Sequence, residues 1–135
     1  MVAPAHRGGG LSRVMLEHMK SLAAPIGPLV APVRPTLKAE HPDVSIAEYA
    51  AWRREDGTHF DPWIRTHERI GGRVLGTAEE AMLIEGPVSS WQEWTGLEFP
   101  ADGEYAVPGG LVPVSVRDGH AVYREPCVWI EHLHR

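Results

Sequence analysis

Three consecutive glycines, Gly8–Gly10, constrain the fold more than any other feature of this sequence. They release the backbone directly before residues 11–24, where apolar residues recur at the spacing of one helical face. These apolar residues are Leu11, Val14, Met15, Met19 and Leu22. Pro25 and Gly27 follow and predict the end of the helix. The sequence therefore predicts a glycine turn that opens an amphipathic helix.

Short apolar segments flank this turn and helix. Val2-Ala3-Pro4 is interpreted as the last step of one strand, and residues 29–33, bounded by prolines, as a buried second strand. Strand, turn, helix and strand in this order predict a βαβ unit with a parallel sheet at the start of an α/β fold.

The middle of the chain predicts short helices. Ser45 and Glu48 have the spacing of a capping box, which opens a helix through about Arg54. Asp61-Pro62 predicts a second helix, because aspartate caps a helix and proline fits its first position. Gly71-Gly72 supplies the stop of that helix.

The last third of the chain predicts strands and tight turns. Ser89 and Gln92 form another possible capping box, with Gly96 as the stop of a short helix. Asp118-Gly119 predicts a C-terminal antiparallel hairpin, although Pro113 pushes its first strand toward an edge. The segments interpreted as strands are residues 82–85, 111–117, 121–123 and 128–133.

Length and charge limit the class of protein. The 135 residues have the length of one domain, so we expect a single domain over residues 1–135. A net charge of −5 argues against a general binder of nucleic acid or of an anionic membrane, since both reward a basic surface. No apolar stretch approaches the ~20 residues of a membrane span, and the start lacks a signal-peptide pattern. Cys127 is the one cysteine, so an internal disulfide is excluded, which suits a reducing compartment. Together with the lack of a membrane span and of a signal-peptide pattern, this leads us to expect a cytoplasmic protein.

The glycine turn has the chemistry of a phosphate site. The first amides of the helix lack partners and point outward beside the positive end of the helix dipole. Phosphate and pyrophosphate bind at such positions, and Arg7 adds a charge-assisted contact. A glycine-rich connection without a ligand is the alternative.

The order Arg7-Gly8-Gly9-Gly10-Leu11-Ser12 resembles the acetyl-CoA signature of the GNAT acyltransferase superfamily, an Arg or Gln followed by x-x-Gly-x-Gly/Ala. Arg7 and Gly10 fit the signature, whereas Ser12 stands where Gly or Ala is usual. The resemblance implies that the amides from Gly8 to Ser12 hold the pyrophosphate of acetyl-CoA, the co-substrate. It also implies a partial, GNAT-like mixed sheet.

The resemblance further implies direct transfer of an acetyl group to a small-molecule amine. A base deprotonates the amine and an acid protonates the departing thiolate. The candidates for these proton transfers are Tyr49, His67, Tyr123 and Glu125. Each also has a structural interpretation. Arg34 and Lys38 are further candidates, either for contact with CoA phosphates or as solvated surface charges.

Eight histidines raise the question of a metal. None of them forms the helical His pair with an intervening Glu that is typical of a zinc helix. His132 and His134 would share one face of an extended segment, but this spacing is a weak signal. We therefore expect no metal.

The position of the motif affects what it implies. In the GNAT family the motif lies mid-chain, whereas here the sequence begins at it. A misplaced start, a second chain that supplies the missing layer, and a half-fold put to another use all stay open. A truncated sheet exposes an unpaired edge, which favours a homodimer or a partner chain.

The leading hypothesis is an acyl-CoA-binding N-acyltransferase or a truncated relative of one. One alternative is a non-catalytic half-domain that acts as a dimer or as a partner subunit. Another is a GNAT-derived pocket reused for a different reaction on a hydrophobic metabolite, since aromatic walls around a few polar groups are usual in small-molecule sites.

Overall fold

The computed structural model describes residues 2–133. The helices are α1 (Leu11–Ala23), α2 (Ile46–Ala50), α3 (Pro62–Arg69) and α4 (Val88–Thr95). The strands are β1 (Leu29–Val33), β2 (Gly72–Pro87), β3 (Gly103–Tyr105), β4 (Val114–Arg117) and β5 (His120–His132). Among residues 2–133, no helix combines the length and the apolar character that crossing a bilayer requires.

Strand β5 is the centre of an antiparallel five-stranded sheet. One side of β5 pairs with β2 along most of its length, from Gly72 opposite His132 to Pro87 opposite His120. Its other side pairs with β4 near the amino end and with β1 near the carboxyl end. Strand β3 adds to the outside of β4. With the short helices, this sheet confirms the predicted α/β class.

The start of the chain differs from the prediction. Val2-Ala3-Pro4 is not a strand: Pro4–His6 forms a single 3-10 turn, in which proline stands at the first helical position. The five residues of β1 pair antiparallel with β5. A βαβ unit with parallel strands is therefore absent from residues 2–133.

The helix predictions hold better at the starts than at the ends. The Ser45 hydroxyl accepts a hydrogen bond from the amide of Glu48, as a cap should, but α2 stops at Ala50 rather than near Arg54. The chain reverses there, because Arg53 and His59 form a bridge around a glycine turn. The prediction for Ser89 is wrong: α4 begins at Val88 without a side-chain cap.

The C-terminal hairpin is confirmed. Asp118 and Gly119 have φ angles of 49° and 75°, the positive values that a tight two-residue hairpin turn requires. Pro113 lies outside β4, so β4 pairs on both sides instead of forming an edge. The predicted strands 82–85 and 121–123 are parts of the two long strands β2 and β5, and the strand predicted over 128–133 ends one residue earlier, with β5 at His132. Of the strand predicted over 111–117, only Val114–Arg117 is formed, as β4.

Two apolar clusters occupy opposite ends of the sheet. The first contains Trp91, Phe99, Val114, Val116, Ala121 and Tyr123. The second contains Val33, Ile46, Ile64, Val128 and Ile130. Whether residues 1–135 form one domain stays a prediction.

Helix α1 packs differently from the prediction. The residues with the amphipathic pattern form a helix, as predicted, but Leu16 is the one buried residue of α1. The five apolar residues of the predicted face expose between 42% and 63% of their surface: Leu11, Val14, Met15, Met19 and Leu22. The apolar face of α1 therefore points to solvent.

Candidate active site

The glycine turn has the geometry of an anion site. Gly10 is the N-cap of α1 in the left-handed conformation, with φ of 76°, and no side chain caps the helix. The first intrahelical bond runs from the amide of Val14 to the carbonyl of Gly10. Within residues 2–133, the amides of residues 10–13 consequently have no acceptor, and residues 3–11 are exposed. A pyrophosphate has free access to these donors.

Arg7 lies beside this turn. Its Nε donates to the carbonyl of Val2 at 3.1 Å, which fixes the start of the side chain, and its two Nη groups have no hydrogen-bond partner among residues 2–133. A guanidinium held in this way can make two charge-assisted bonds to phosphate oxygens. This arrangement is compatible with the predicted cofactor site, which comprises Arg7, the amides of the glycine turn, Leu11 and Ser12.

Arg34 connects the end of β1 to β5. Helix α1 contacts β1 and joins it through residues 24–28, so the amino end of α1 and the carboxyl end of β1 lie toward the same end of the molecule. Arg34 follows β1 directly. Its Nε donates to Glu125 Oε1 at 2.9 Å and its Nη2 to the carbonyl of Gly109 at 2.6 Å. The cation therefore fixes the Glu125 carboxylate in place.

Tyr123 and Glu125 form a hydrogen-bonded pair on β5. The Tyr123 hydroxyl donates to Glu125 Oε1 at 3.0 Å and accepts from the amide of Leu111 at 3.0 Å. Burial raises the pKa of Tyr123; the hydrogen bond from Leu111 opposes this rise and the charge of Glu125 adds to it. The phenol is consequently protonated at neutral pH and hydrogen-bonded to the side chain of Glu125.

A cavity of about 220 Å³ adjoins this pair. Its apolar walls come from β2, α4 and the loop before β4: Met82, Ile84, Trp91, Val107 and Pro108. The indole of Trp91 is 5% exposed, and its Nε1 has no hydrogen-bond partner among residues 2–133. Tyr123, Glu125 and Arg34 supply the polar lining. The cavity has the usual composition of a small-molecule site.

A wider cleft, of about 1040 Å³, lies between α1 and the end of α3. Lys20 crosses it to donate to the carbonyl of Ile70 at 2.8 Å. None of the sequence-predicted site residues lines this cleft. The smaller cavity is the better candidate site, because Tyr123, Glu125 and Arg34 line it.

Tyr49 lies in the packed interior. It is fully buried, and its hydroxyl donates to Asp61 Oδ2 at 2.6 Å. Burial, with the hydrogen bond to Asp61, raises the pKa of Tyr49 far above its usual value. Asp61 also caps α3 and accepts from the amide of Leu37. This geometry gives Tyr49 a structural role and leaves no access for a thiolate.

His67 is also away from the cavity. It is 2% exposed, and its Nδ1 lies 2.8 Å from His132 Nε2. Burial, together with the second imidazole, lowers the pKa of His67 to about 4. A base this weak and this enclosed does not suit the deprotonation of an amine.

Lys38 was expected at the surface or on a CoA phosphate, and both expectations are wrong. It is fully buried, and its Nζ donates to the carbonyls of His41 and Leu111 at 2.7 and 2.6 Å.

Within residues 2–133 no group of three or more potential metal ligands exists, and His134 lies outside the described residues.

The sequence pointed to Tyr123 and Glu125 separately, and the structure brings them together. The signal was available, since residues two apart on a strand share one face of the sheet. Trp91 and the loop at residues 107–110 were not singled out. Only their packing against β5 makes them part of the site.

The chain has a curated relative. It is 35% identical, over 97% of its length, to the arginine N-acetyltransferase avaD of Aspergillus versicolor. The chain spans about half of that protein, 53% of its length, and corresponds to its C-terminal part. That relative is a GNAT-type acetyltransferase, which agrees with the resemblance carried by the glycine turn. No family model matches the chain, and no solved structure matches it.

Proposed function

We propose that this chain, a relative of a GNAT-type acetyltransferase, binds acetyl-CoA and transfers the acetyl group to the amine of a small molecule. The observation that carries the proposal is the exposed glycine turn at the amino end of α1, with its unpaired amides and Arg7 beside it. The name of the relative makes arginine the first amine to test. A cytoplasmic location belongs to the proposal, supported by the free, buried Cys127.

The proposed reaction uses two side chains. The amine nitrogen attacks the thioester carbonyl carbon, the carbon–nitrogen bond forms and the carbon–sulfur bond breaks. Glu125 accepts the proton that the amine loses, and Tyr123 donates its proton to the departing thiolate. The hydrogen bond between the two then returns a proton from Glu125 to Tyr123. Arg34 keeps the carboxylate in position throughout.

Calorimetric titration of acetyl-CoA tests the proposal. We expect the wild type to bind and Gly10→Glu to lose binding, because the new carboxylate would repel the pyrophosphate at the helix terminus. Gly57→Glu is the matched control, since Gly57 has a similar positive φ, 81°, and equally open surroundings. Absence of binding to the wild type would refute the proposal.

The exposed face of α1 supports a second proposal, that a further polypeptide segment covers this helix. Lys20 reaches toward α3. With about 3.6 residues per turn, Met15 and Leu22 lie on roughly the opposite side of α1. There they expose 52% and 63% of their surface. On the same flank β1 pairs with β5 alone among the described strands, which leaves one edge open.

We propose that the occupant is a segment equivalent to the part of the relative that this chain does not span. The segment would add a strand to β1 and cover the apolar residues of α1. The relative's additional length, beyond the 53% that aligns, supports this choice over a second copy of the chain.

Co-expression tests the occupant. The N-terminal portion of the relative, produced as a separate chain, should co-purify with the wild type and not with Leu22→Glu. The variant should keep the thermal stability of the isolated chain, because Leu22 is exposed. A homodimer that Leu22→Glu dissociates would instead make a second copy the occupant and refute this proposal.

A further inference from the structure

We propose that the cavity between Trp91 and Glu125 binds an amino acid with an apolar side chain, or its amide, through its amine and its carbonyl oxygen. This inference rests on the proposed function only in that it makes this ligand the acetyl acceptor. The binding itself follows from the cavity.

Glu125 provides the acceptor for an amine. Its side chain is 15% exposed, and the hydrogen bonds that it receives from Arg34 and Tyr123 both end on Oε1. Since a carboxylate has two oxygens that each accept hydrogen bonds, Oε2, which has no donor among residues 2–133, remains for an N–H group of a ligand. A partly buried carboxylate is best satisfied by a charged or strongly polar donor.

Trp91 forms another wall of the cavity. Its Nε1 is enclosed by protein atoms, so a ligand would contact the carbon atoms of the indole ring rather than its N–H group. The ring therefore belongs to the apolar part of the site, and its signal reports a ligand that packs against it.

Arg34 provides a donor for an oxygen of the ligand. Among residues 2–133, its Nε and Nη2 bond to Glu125 and Gly109, and Nη1 remains for a carboxylate or an amide carbonyl. A site that presents one cation and one anion is complementary to an α-amino acid or its amide. The ligand therefore needs a carbonyl or carboxylate oxygen as well as an amine.

The apolar walls select the side chain. Met82, Ile84, Val107 and Pro108 would contact the remainder of the ligand. The cavity of about 220 Å³ has room for a side chain such as that of leucine. A guanidinium side chain would bring a charge against these apolar groups without a paired anion. The inferred ligand thus differs from the arginine in the name of the relative.

The indole N–H signal of Trp91 in a 1H–15N correlation spectrum tests the inference directly. The titrants are L-leucine, L-leucinamide, L-arginine, isoamylamine without the carbonyl, and 4-methylpentanoate without the amine. Trp91→Phe identifies the signal among those of the five tryptophans. We expect leucine or leucinamide to shift this signal at the lowest concentration, and isoamylamine and arginine to bind about tenfold or more weakly.

Two variants separate the two contacts. Glu125→Gln should weaken leucinamide binding about tenfold and should not weaken the binding of 4-methylpentanoate, which has no amine. Glu85→Gln, an exposed carboxylate on β2, is the control and should change neither. The spectrum itself reports whether each variant is folded.

The outcomes are decisive. A Trp91 signal that none of the five compounds moves would overturn the inference, as would equal shifts from arginine and leucine. Preference for leucine over leucinamide would identify the free amino acid, and the reverse would identify the amide. Acetyl-CoA is absent from these titrations, so their failure is distinct from a failure of acetyl-CoA to bind.

Discussion

The buried pair of His67 and His132 predicts that the fold loses stability in mild acid. The two imidazoles share a 2.8 Å hydrogen bond, and His67 is 2% exposed. Burial, together with the neighbouring imidazole, holds the pKa of His67 near 4, against 6.5 in an unfolded chain. Between these two values the unfolded state binds a proton that the folded state excludes. The free energy of unfolding therefore falls as the pH falls from about 6.5 to 4.

The magnitude follows from the two pKa values. At 1.36 kcal/mol per pKa unit, the full difference for His67 is about 3 kcal/mol, reached below pH 4. At pH 5 the unfolded state is almost fully protonated and the folded state is not, so the loss is about 2 kcal/mol relative to pH 8. A loss of this size is a large part of the stability of a small domain.

Urea unfolding followed by circular dichroism, at several pH values from 8 to 4.5, measures this loss. His67→Gln removes the titrating group, and its pH dependence should be smaller than that of the wild type by about 2 kcal/mol at pH 5. His18→Gln changes an exposed histidine on α1 and is the control. Equal pH dependence in the wild type and His67→Gln would refute the reasoning.

Three substitutions test the interior, each by urea unfolding. Gly72→Ala would place its Cβ 2.7 Å from both the imidazole of His132 and the carbonyl oxygen of His67, so we expect the free energy of unfolding to fall by about 2 kcal/mol or more. Gly76→Ala is the control and should be nearly neutral, because the surroundings of Gly76 are open. Tyr49→Phe should cost about 1–3 kcal/mol, because the buried Asp61 carboxylate loses one of its donors and keeps the backbone amides, and normal acetyl transfer by the folded variant would exclude a catalytic role. Lys38→Met should cost about 2 kcal/mol, because the carbonyls of His41 and Leu111 lose a donor; an unchanged midpoint would contradict the assigned contacts.

Local patterns predicted the elements that local interactions define. The apolar spacing gave α1, the cap at Asp61 gave α3, and Asp118-Gly119 gave the hairpin, because each depends on residues a few positions apart. Strand β2 was recognised over only four of its sixteen residues. Much of β2 is exposed or half-buried on both faces, so its residues lack the alternation of a half-buried strand.

The apolar periodicity of α1 could not predict what surrounds this helix. An apolar face predicts that another element covers it but does not identify that element. Among residues 2–133 no element covers the face, and it is exposed to solvent. The same limit applies to the candidate site: Tyr123 and Glu125 were recognisable on one strand, while Trp91 joins them through contacts between elements distant in sequence.

The central place of β5 has a consequence for synthesis on the ribosome. The strands that β5 pairs with, β1, β2 and β4, all precede it in the chain. During synthesis these strands are unpaired until β5 has been made, and the apolar residues of both clusters have little to pack against. Long-range strand pairing is slow and leaves such intermediates open to aggregation. A translational pause just before residue 120 should therefore make the nascent chain dependent on chaperones.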